Sequence, residues 1–255
     1  MVGISKFIIN VLTVFAVALP MVSGAKADMQ FDFAKSTPVG SWQVREEITT
    51  NHKGKQELTV IKTSLLSKTE YNGAPHYWVE MEMASYKLKN DKRKAKGKPV
   101  VMKALVDASV ANGEVANVMG NINKYGREII FQTGDDAPIR IEQSGLIGQT
   151  MLQSLGTKVS YQFSKVGEQS LKVPAGTIAC TAYQGTGSTE INIVIKKIRV
   201  DSDNETCLSD KIPFGVVQAV ADMTSNGKPS KTESVLIEYG KSGAVSKITQ
   251  EPKSM

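Results

Sequence analysis

The chain has 255 residues, of which 41% are hydrophobic, 22% charged and 6% aromatic, a balance typical of a folded globular domain rather than a disordered or fibrous protein. Only two histidines and two cysteines are present, which nearly excludes a metal or catalytic site built from several residues of either type. The formal charge of +6 indicates a mildly basic protein.

The first 27 residues have the features of a cleaved secretory signal. Lys6 precedes a mostly apolar stretch over 7–19, and small residues follow it and end in Ala25-Lys26-Ala27, an A-x-A cleavage pattern. This stretch of about 13 residues is shorter than the ~20 that a membrane-spanning helix needs. We therefore expect cleavage near Ala27 and a periplasmic location, with residues 28–255 forming a single β-rich domain that ends in a short flexible C-terminal tail.

Alternating apolar and polar residues predict antiparallel strands along most of the mature chain. The predicted strands number about eleven. In chain order they are Trp42–Arg45, Tyr77–Ala84, Val100–Val106, Glu128–Thr133, Ile139–Glu142, Lys158–Phe163, Thr177–Tyr183, Glu190–Val200, Val216–Met223, Ser234–Tyr239 and Val245–Thr249.

The apolar faces of the first three predicted strands carry residues that we expect to face a common interior. These are Trp42, Val44, Val79, Met81, Met83 and Met102. Methionine adapts to irregular apolar ligands, yet it also fills ordinary cores, so a ligand site and a packed core both remain open.

The basic residues are concentrated in one short segment. It contains Lys87, Lys89, Lys92, Arg93, Lys94, Lys96 and Lys98, with Asp91 as its one acid. Without the signal the chain has 29 bases and 25 acids, a formal charge of +4, so the rest of the mature chain is slightly acidic. The composition predicts an exposed hairpin connection. It favours either contact with an anionic membrane surface or acidic envelope protein, or an ordinary solvated loop.

One segment has the apolar spacing of a helix instead of a strand. Ser144 is suited to an N-cap and Gly156 to the position after the last turn, which predicts a helix over 145–155. Its apolar side includes Leu146, Met151 and Leu152. The helix could plug the end of a β-structure or cover a bound ligand.

The two cysteines are expected to be paired. Cys180 and Cys207 are 27 positions apart, and an oxidising compartment favours a disulfide between them. The alternative is two buried free thiols, because the sequence alone does not show that their Cβ atoms face each other.

Motifs for catalysis are missing from the sequence. There is no G-x-S-x-G elbow, no H-E-x-x-H and no C-x-x-C, so we expect a non-enzymatic protein without a cofactor or bound metal. We expect His76 to be a half-exposed structural residue. Glu80 and Glu82 share a strand face, and we expect both to point to water. Basic residues interleaved with aromatic ones are absent, and an exported protein seldom meets nucleic acid, so we expect no such partner.

Several short segments resemble uncharacterised bacterial envelope proteins related to the LolA/LolB lipoprotein-carrier superfamily. They are Gly40-Ser41-Trp42, Tyr77–Glu82, Val173–Cys180, Leu208–Gly215 and Leu236-x-x-Tyr239-Gly240. This chain has Cys207 two residues before Ser209, where the pattern usually places a tryptophan shortly before the segment.

The resemblance implies a strongly curved antiparallel sheet or incomplete barrel, with one or few helices over its concave side and an apolar interior for acyl chains. It favours a soluble periplasmic binding or carrier protein for a lipid or lipidated ligand. The alternative is an envelope interaction or assembly scaffold with a filled core and surface-mediated protein contacts. No oligomeric state is predicted.

Overall fold

The described part of the chain is built almost entirely from β-strands. The computed structural model describes residues 33–90, 92–108, 126–142, 157–193 and 196–254. A four-residue helix, α1, spans Phe33–Ser36. The strands are β1 Trp42–Asn51, β2 Gln56–Tyr71, β3 Ala74–Lys89, β4 Lys92–Ala95, β5 Val100–Asp107, β6 Gly126–Thr133, β7 Ile139–Glu142, β8 Thr157–Val173, β9 Gly176–Ile193, β10 Lys196–Leu208, β11 Val216–Ser225, β12 Lys228–Gly240 and β13 Lys253–Ser254.

All thirteen strands belong to one open, curved sheet, which confirms the predicted mainly β fold. Their spatial order is β13-β7-β6-β5-β3-β2-β1-β12-β11-β10-β9-β8, and β4 pairs with β3 beside this path. Neighbours are antiparallel except for the short parallel contact between β13 and β7. Strand β1 therefore lies in the middle of the sheet, between two halves built from β2–β7 and β8–β12.

The strand prediction was wrong at several positions. It omitted β2, β4 and β13, and its strand over 190–200 covers the end of β9 and the start of β10. Strand β2 lacks alternation because both of its faces are covered: Leu58 and Ile61 lie on opposite faces, and both are buried. The predicted helix over 145–155 and the signal over 1–27 lie outside the described residues.

The register defines two faces of the sheet. Met81 of β3 pairs with Thr63 of β2 and Met102 of β5, and Met102 pairs with Phe131 of β6, so these residues share one face. We call this the inner face and the opposite one the outer face.

The β8–β12 half is filled by its own side chains. Aromatic rings of Tyr161 and Phe163 lie across the strand pair from Gly187 and Gly185, where a Cβ atom would collide with the rings. Cys180 and Cys207 form the predicted disulfide, with a Cα–Cα distance of 5.5 Å. Its neighbours in the buried cluster are Val173, Ile178, Ile212, Val217 and Leu236.

The loop between β10 and β11 joins the two halves of the sheet. In residues 209–215, Phe214 has a φ of 61° and inserts its ring against Leu65 of β2, next to Tyr77 and Val79. The Phe214 amide donates a hydrogen bond of 2.9 Å to Thr37 Oγ1. The loop thus closes one part of the inner face with its own side chain.

The C-terminal segment over 241–254 covers part of the outer face. For this segment the sequence predicted a strand over 245–249 and a flexible tail. Ile248 packs on Val101, Ile130 and Trp78. Glu80 is 1% exposed and accepts hydrogen bonds of 2.5 Å from Ser246 Oγ and 2.7 Å from the Lys247 amide. The segment is therefore irregular but tied down, and the expectation that Glu80 points to water was wrong.

Candidate functional site

The inner face of β3 and β5 carries a cluster of methionines. Met81 is directly opposite Met102, and Met83 lies two residues further along β3 on the same face. Ala104 continues this surface on β5, between Val79 of β3 and Ile129 of β6. We call Val79, Met81, Met83, Met102 and Ala104 the methionine surface; it brings together four of the residues predicted to face the interior.

Trp42 and Val44 do not belong to this surface, which corrects the expectation of a common interior. The register pairs Trp42 with Ser64 and Val44 with Lys62, placing both on the outer face. Trp42 covers Gly240, where a Cβ atom would meet its indole, and its Nε1 donates a hydrogen bond of 3.1 Å to the Ser242 carbonyl. Its surroundings are those of a packing residue.

Polar residues of β1 occupy the inner face instead. Gln43, Arg45 and Glu47 are 2%, 2% and 3% exposed. Arg45 Nη1 lies 3.6 Å from Glu47 Oε1 and donates a hydrogen bond of 3.3 Å to Oγ of Ser234 on β12. We call these four residues the polar stripe. The sequence analysis missed them because it assigned the apolar side of β1 to the interior, although opposite charges two residues apart on a strand share a face.

Burial controls the ionisation of this stripe. Removal from water raises the pKa of Glu47, while Arg45 and a hydrogen bond with Ser234 act in the opposite direction. The same desolvation lowers the pKa of Arg45, and Glu47 opposes that change. The Oε1 atoms of Gln43 and Glu47 are both buried, and neither has a hydrogen-bond partner among the residues that the structure describes. A partly satisfied buried network of this kind is costly to the fold.

The basic segment forms an ordered hairpin of β3 and β4. Arg93 makes a bidentate contact with Glu46 at 2.8 and 3.1 Å. Lys96 Nζ lies 2.6 Å from both carboxylate oxygens of Glu57. Lys98 pairs with Asp136 at 2.9 Å. Three of the seven basic side chains therefore fasten the segment to neighbouring acids.

The other four cations lie together on one face of the hairpin. Lys87 is opposite Lys94 and Lys89 is opposite Lys92, and all four are exposed. Within the described ranges none of them forms an ion pair, although Lys87 lies directly across from Glu57 of β2. We call them the lysine face. Like charges directly opposite each other destabilise a strand pair, so these lysines do not stabilise the hairpin. Their arrangement suits the binding of an external anion.

The lysine face continues the inner face of the sheet. Side chains alternate along β3, so Met81, Met83, Lys87 and Lys89 project to the same side. Lys87 lies four residues beyond Met83, a distance of about 13 Å along an extended strand. Exposed cations thus border the side of the sheet on which the methionines are buried.

The two histidines occupy different environments. His76 is 2% exposed, not half-exposed as expected; its Nδ1 lies 2.9 Å from the Ala74 carbonyl and its ring packs edge-on against Tyr71. His52 lies in an exposed turn. Neither contacts a carboxylate within the described residues, and no group of three or more metal-ligating side chains is found among them.

A polar groove of about 440 Å³ lies on the outer face of β8–β11. Its lining includes Ser160, Gln162, Asp201 and Asp222. Such a surface does not suit an acyl chain. The predicted ligand residues Leu146, Met151 and Leu152 lie outside the described part of the chain.

No family profile matches this sequence, and no curated protein is significantly similar to it. Two crystal structures resemble it at low identity. One is provisionally described as a lipoprotein from Parabacteroides distasonis ATCC 8503, with 13% identity and a TM-score of 0.37, and covers 83% of this chain and 100% of its own. The other is provisionally described as an exported protein with a YmcC-like fold from Bacteroides fragilis NCTC 9343, with 14% identity, a TM-score of 0.36, and coverage of 84% and 100%.

These similarities are too low to assign a fold family or a function. No helix in the described ranges is long and apolar enough to cross a bilayer. Three features carry the argument: the methionine surface and the polar stripe on the inner face, and the lysine face beside them.

Proposed function

We propose that this protein is an exported, non-enzymatic binding or carrier protein that holds a lipid or lipidated ligand on the methionine surface. The observation that carries the proposal is the direct pairing of Met81 with Met102, with Met83 beside them on the inner face. Unbranched thioether side chains adapt to flexible apolar ligands. Each buried CH₂ of a ligand contributes about 0.8 kcal/mol, so one acyl chain supplies useful affinity without a catalytic group.

The division of the sheet supports a ligand in one half only. The inner face of the β8–β12 half is packed with the large rings of Tyr161, Phe163 and Tyr183. The β3–β5 part of the inner face is also buried, but it is lined by flexible methionines and the small Ala104. We therefore assign the scaffold role to the β8–β12 half and ligand binding to the β3–β5 part of the inner face.

The lysine face supports delivery at an anionic membrane. Its four exposed cations border the inner face that carries the methionine surface. Each basic residue near an anionic leaflet contributes about 1 kcal/mol of attraction. Docking through the lysine face would bring the ligand site close to the lipid surface.

A second candidate is an envelope assembly scaffold with a filled interior. The observation that favours it is Phe214, because the 209–215 loop places this ring on the inner face against Leu65. In that case the methionine surface is ordinary core, and the lysine face binds an acidic protein.

Filling the proposed ligand space separates the two functions. Ala104→Phe places a ring on the methionine surface, and Ala221→Phe places the same ring in the other half, where Ala221 packs with Met223. If lipid occupies the first site, Ala104→Phe removes bound lipid from the native mass spectrum with little loss of stability. Ala221→Phe keeps the lipid but costs about 1–3 kcal/mol of overpacking.

The scaffold function predicts a different pattern. Wild-type protein would carry no lipid, and urea unfolding would show Ala104→Phe to be as destabilising as Ala221→Phe. That result would contradict the lipid-binding proposal.

A further inference from the structure

The polar stripe contains buried acceptor atoms that have no hydrogen-bond partner in the described part of the chain. Glu47 and Gln43 are each at least 97% buried, yet the Oε1 atom of each accepts no hydrogen bond from the described residues. The 3.6 Å separation between Glu47 Oε1 and Arg45 Nη1 is too long for a hydrogen bond. The fold therefore retains unmet acceptors, one of them on a carboxylate, in a site removed from water.

The chemistry of these atoms defines the group that would satisfy them. A buried acceptor left unmet costs the desolvation of that atom, and a donor that fills it recovers this cost. For a carboxylate the strongest donors are cationic, since charge-assisted hydrogen bonds are roughly twice as strong as neutral ones. A primary ammonium fits Glu47 in both charge and hydrogen-bonding capacity.

The stripe lies within reach of a ligand on the methionine surface. Arg45 pairs with Ile61, which pairs with Met83, and Glu47 pairs with Thr59 beside them. Two strand spacings separate Arg45 from Met83, a distance of about 10 Å. One lipid molecule can therefore place its chain on the methionines and its head group at the stripe.

Resting on the function proposed above, we propose that the polar stripe recognises the zwitterionic head group of an amine-bearing phospholipid of the phosphatidylethanolamine class. Glu47 Oε1 accepts a hydrogen bond from the ammonium group. The guanidinium of Arg45, on the same face, attracts the phosphate, a pairing that suits arginine in charge and geometry. The inner face then distinguishes lipids by head group as well as by apolar chain.

Native mass spectrometry of the full mature chain tests this proposal with three lipids of identical acyl chains. They are phosphatidylethanolamine, its N-acetyl derivative and phosphatidylglycerol. Wild-type protein should retain the first at least about tenfold better than either of the others, which lack the ammonium. Glycerophosphoethanolamine, the head group without chains, should compete weakly because it cannot use the methionine surface.

Substitution of Glu47 tests whether its carboxylate provides the preference for the ammonium group. Glu47→Gln keeps the shape of the side chain and should reduce the preference to about twofold or less. Glu82→Gln makes the same change on the outer face, where Glu82 faces Lys62 at 3.6 Å, and should leave the preference intact. If Glu47→Gln does not fold, the comparison of phosphatidylethanolamine with its N-acetyl derivative on wild-type protein decides the question alone.

The outcomes separate this inference from the function on which it rests. Equal retention of the three lipids, or an unchanged preference in Glu47→Gln, overturns head-group recognition while lipid binding stands. Retention of no lipid overturns both. If the protein binds glycerophosphoethanolamine tightly and retains none of the three lipids, the stripe binds a soluble amine and the lipid proposal is overturned.

Discussion

Glu47 is a carboxylate that the fold removes from water in the middle of a large sheet. Its strand neighbours Gln43 and Arg45 are equally buried, so the polar side of β1 faces the interior. Sequence alternation alone suggests the opposite orientation, because Trp42, Val44 and Ile48 form the apolar side. Alternation identifies the two faces of this strand but does not decide between them, since both are covered in the folded protein.

The raised pKa of Glu47 predicts a specific pH dependence of stability. Because burial raises it above the ordinary value of 4.5, the folded protein keeps this proton at pH values where the unfolded chain has lost it. The free energy of unfolding should therefore fall as pH rises through this window, by up to about 1.4 kcal/mol for each pH unit.

Urea unfolding of wild type and Glu47→Gln at about pH 5 and about pH 8 measures this effect as a difference between the two proteins. The advantage of wild type over Glu47→Gln should shrink at the higher pH. Glu82→Gln, which changes a partly exposed carboxylate, should show no such trend. A wild-type advantage that grows with pH would mean that Arg45 holds the Glu47 pKa below its usual value.

At the scale of single elements, the long hairpin of β8 and β9 shows how glycines are used inside strands. Gly185 and Gly187 lie beneath the rings of Phe163 and Tyr161, and a Cβ atom at either glycine would collide with the facing ring. Glycine in a strand frequently marks such a close approach. These glycines also explain why the predicted strand over 177–183 ended too early.

Alanine substitution at two glycines of this hairpin tests the packing. Gly187→Ala should destabilise the protein by about 1–3 kcal/mol, because the Tyr161 ring and the Ser160 carbonyl both have to move. Gly167→Ala is the matched control, since nothing lies within 4 Å of the added Cβ atom. Thermal unfolding that shows equal effects of the two substitutions would refute the tight ring contact.

The elements that the sequence predicted correctly are those with clear alternation of apolar residues or a local signal. Alternation placed Val79, Met81 and Met83 on one face of β3. The presence of only two cysteines predicted the disulfide between Cys180 and Cys207. Strand β2 and the C-terminal segment were missed for a common reason. Their structure depends on which distant residues cover them, such as the Glu80 carboxylate that binds Ser246 and Lys247.

At the scale of the whole molecule, a group of exposed cations lies beside the proposed ligand site. The basic segment was predicted as a group of seven cations, but tertiary contacts use Arg93, Lys96 and Lys98 for ion pairs with Glu46, Glu57 and Asp136. The sequence could not distinguish these from the lysine face, because the acids lie far along the chain, on β1, on β2 and in the β6–β7 connection. The strand register makes that distinction.

Charge reversal tests the lysine face. Lys89→Glu combined with Lys92→Glu should lower co-sedimentation with vesicles of anionic lipid by at least about tenfold, and added salt should weaken wild-type binding. The control is Lys211→Glu combined with Lys241→Glu, two exposed lysines outside the hairpin. Equal binding of the two double variants would assign the lysine face to an acidic protein partner or to solubility alone.

The central claim is that the methionine surface holds a lipid. The most direct measurement is native mass spectrometry, with extraction and identification of bound lipid, on protein purified without detergent. The account predicts a discrete mass increment that corresponds to one lipid or lipidated molecule per chain and disappears in Ala104→Phe. A clean apo mass, unchanged after incubation with envelope lipids, would contradict it.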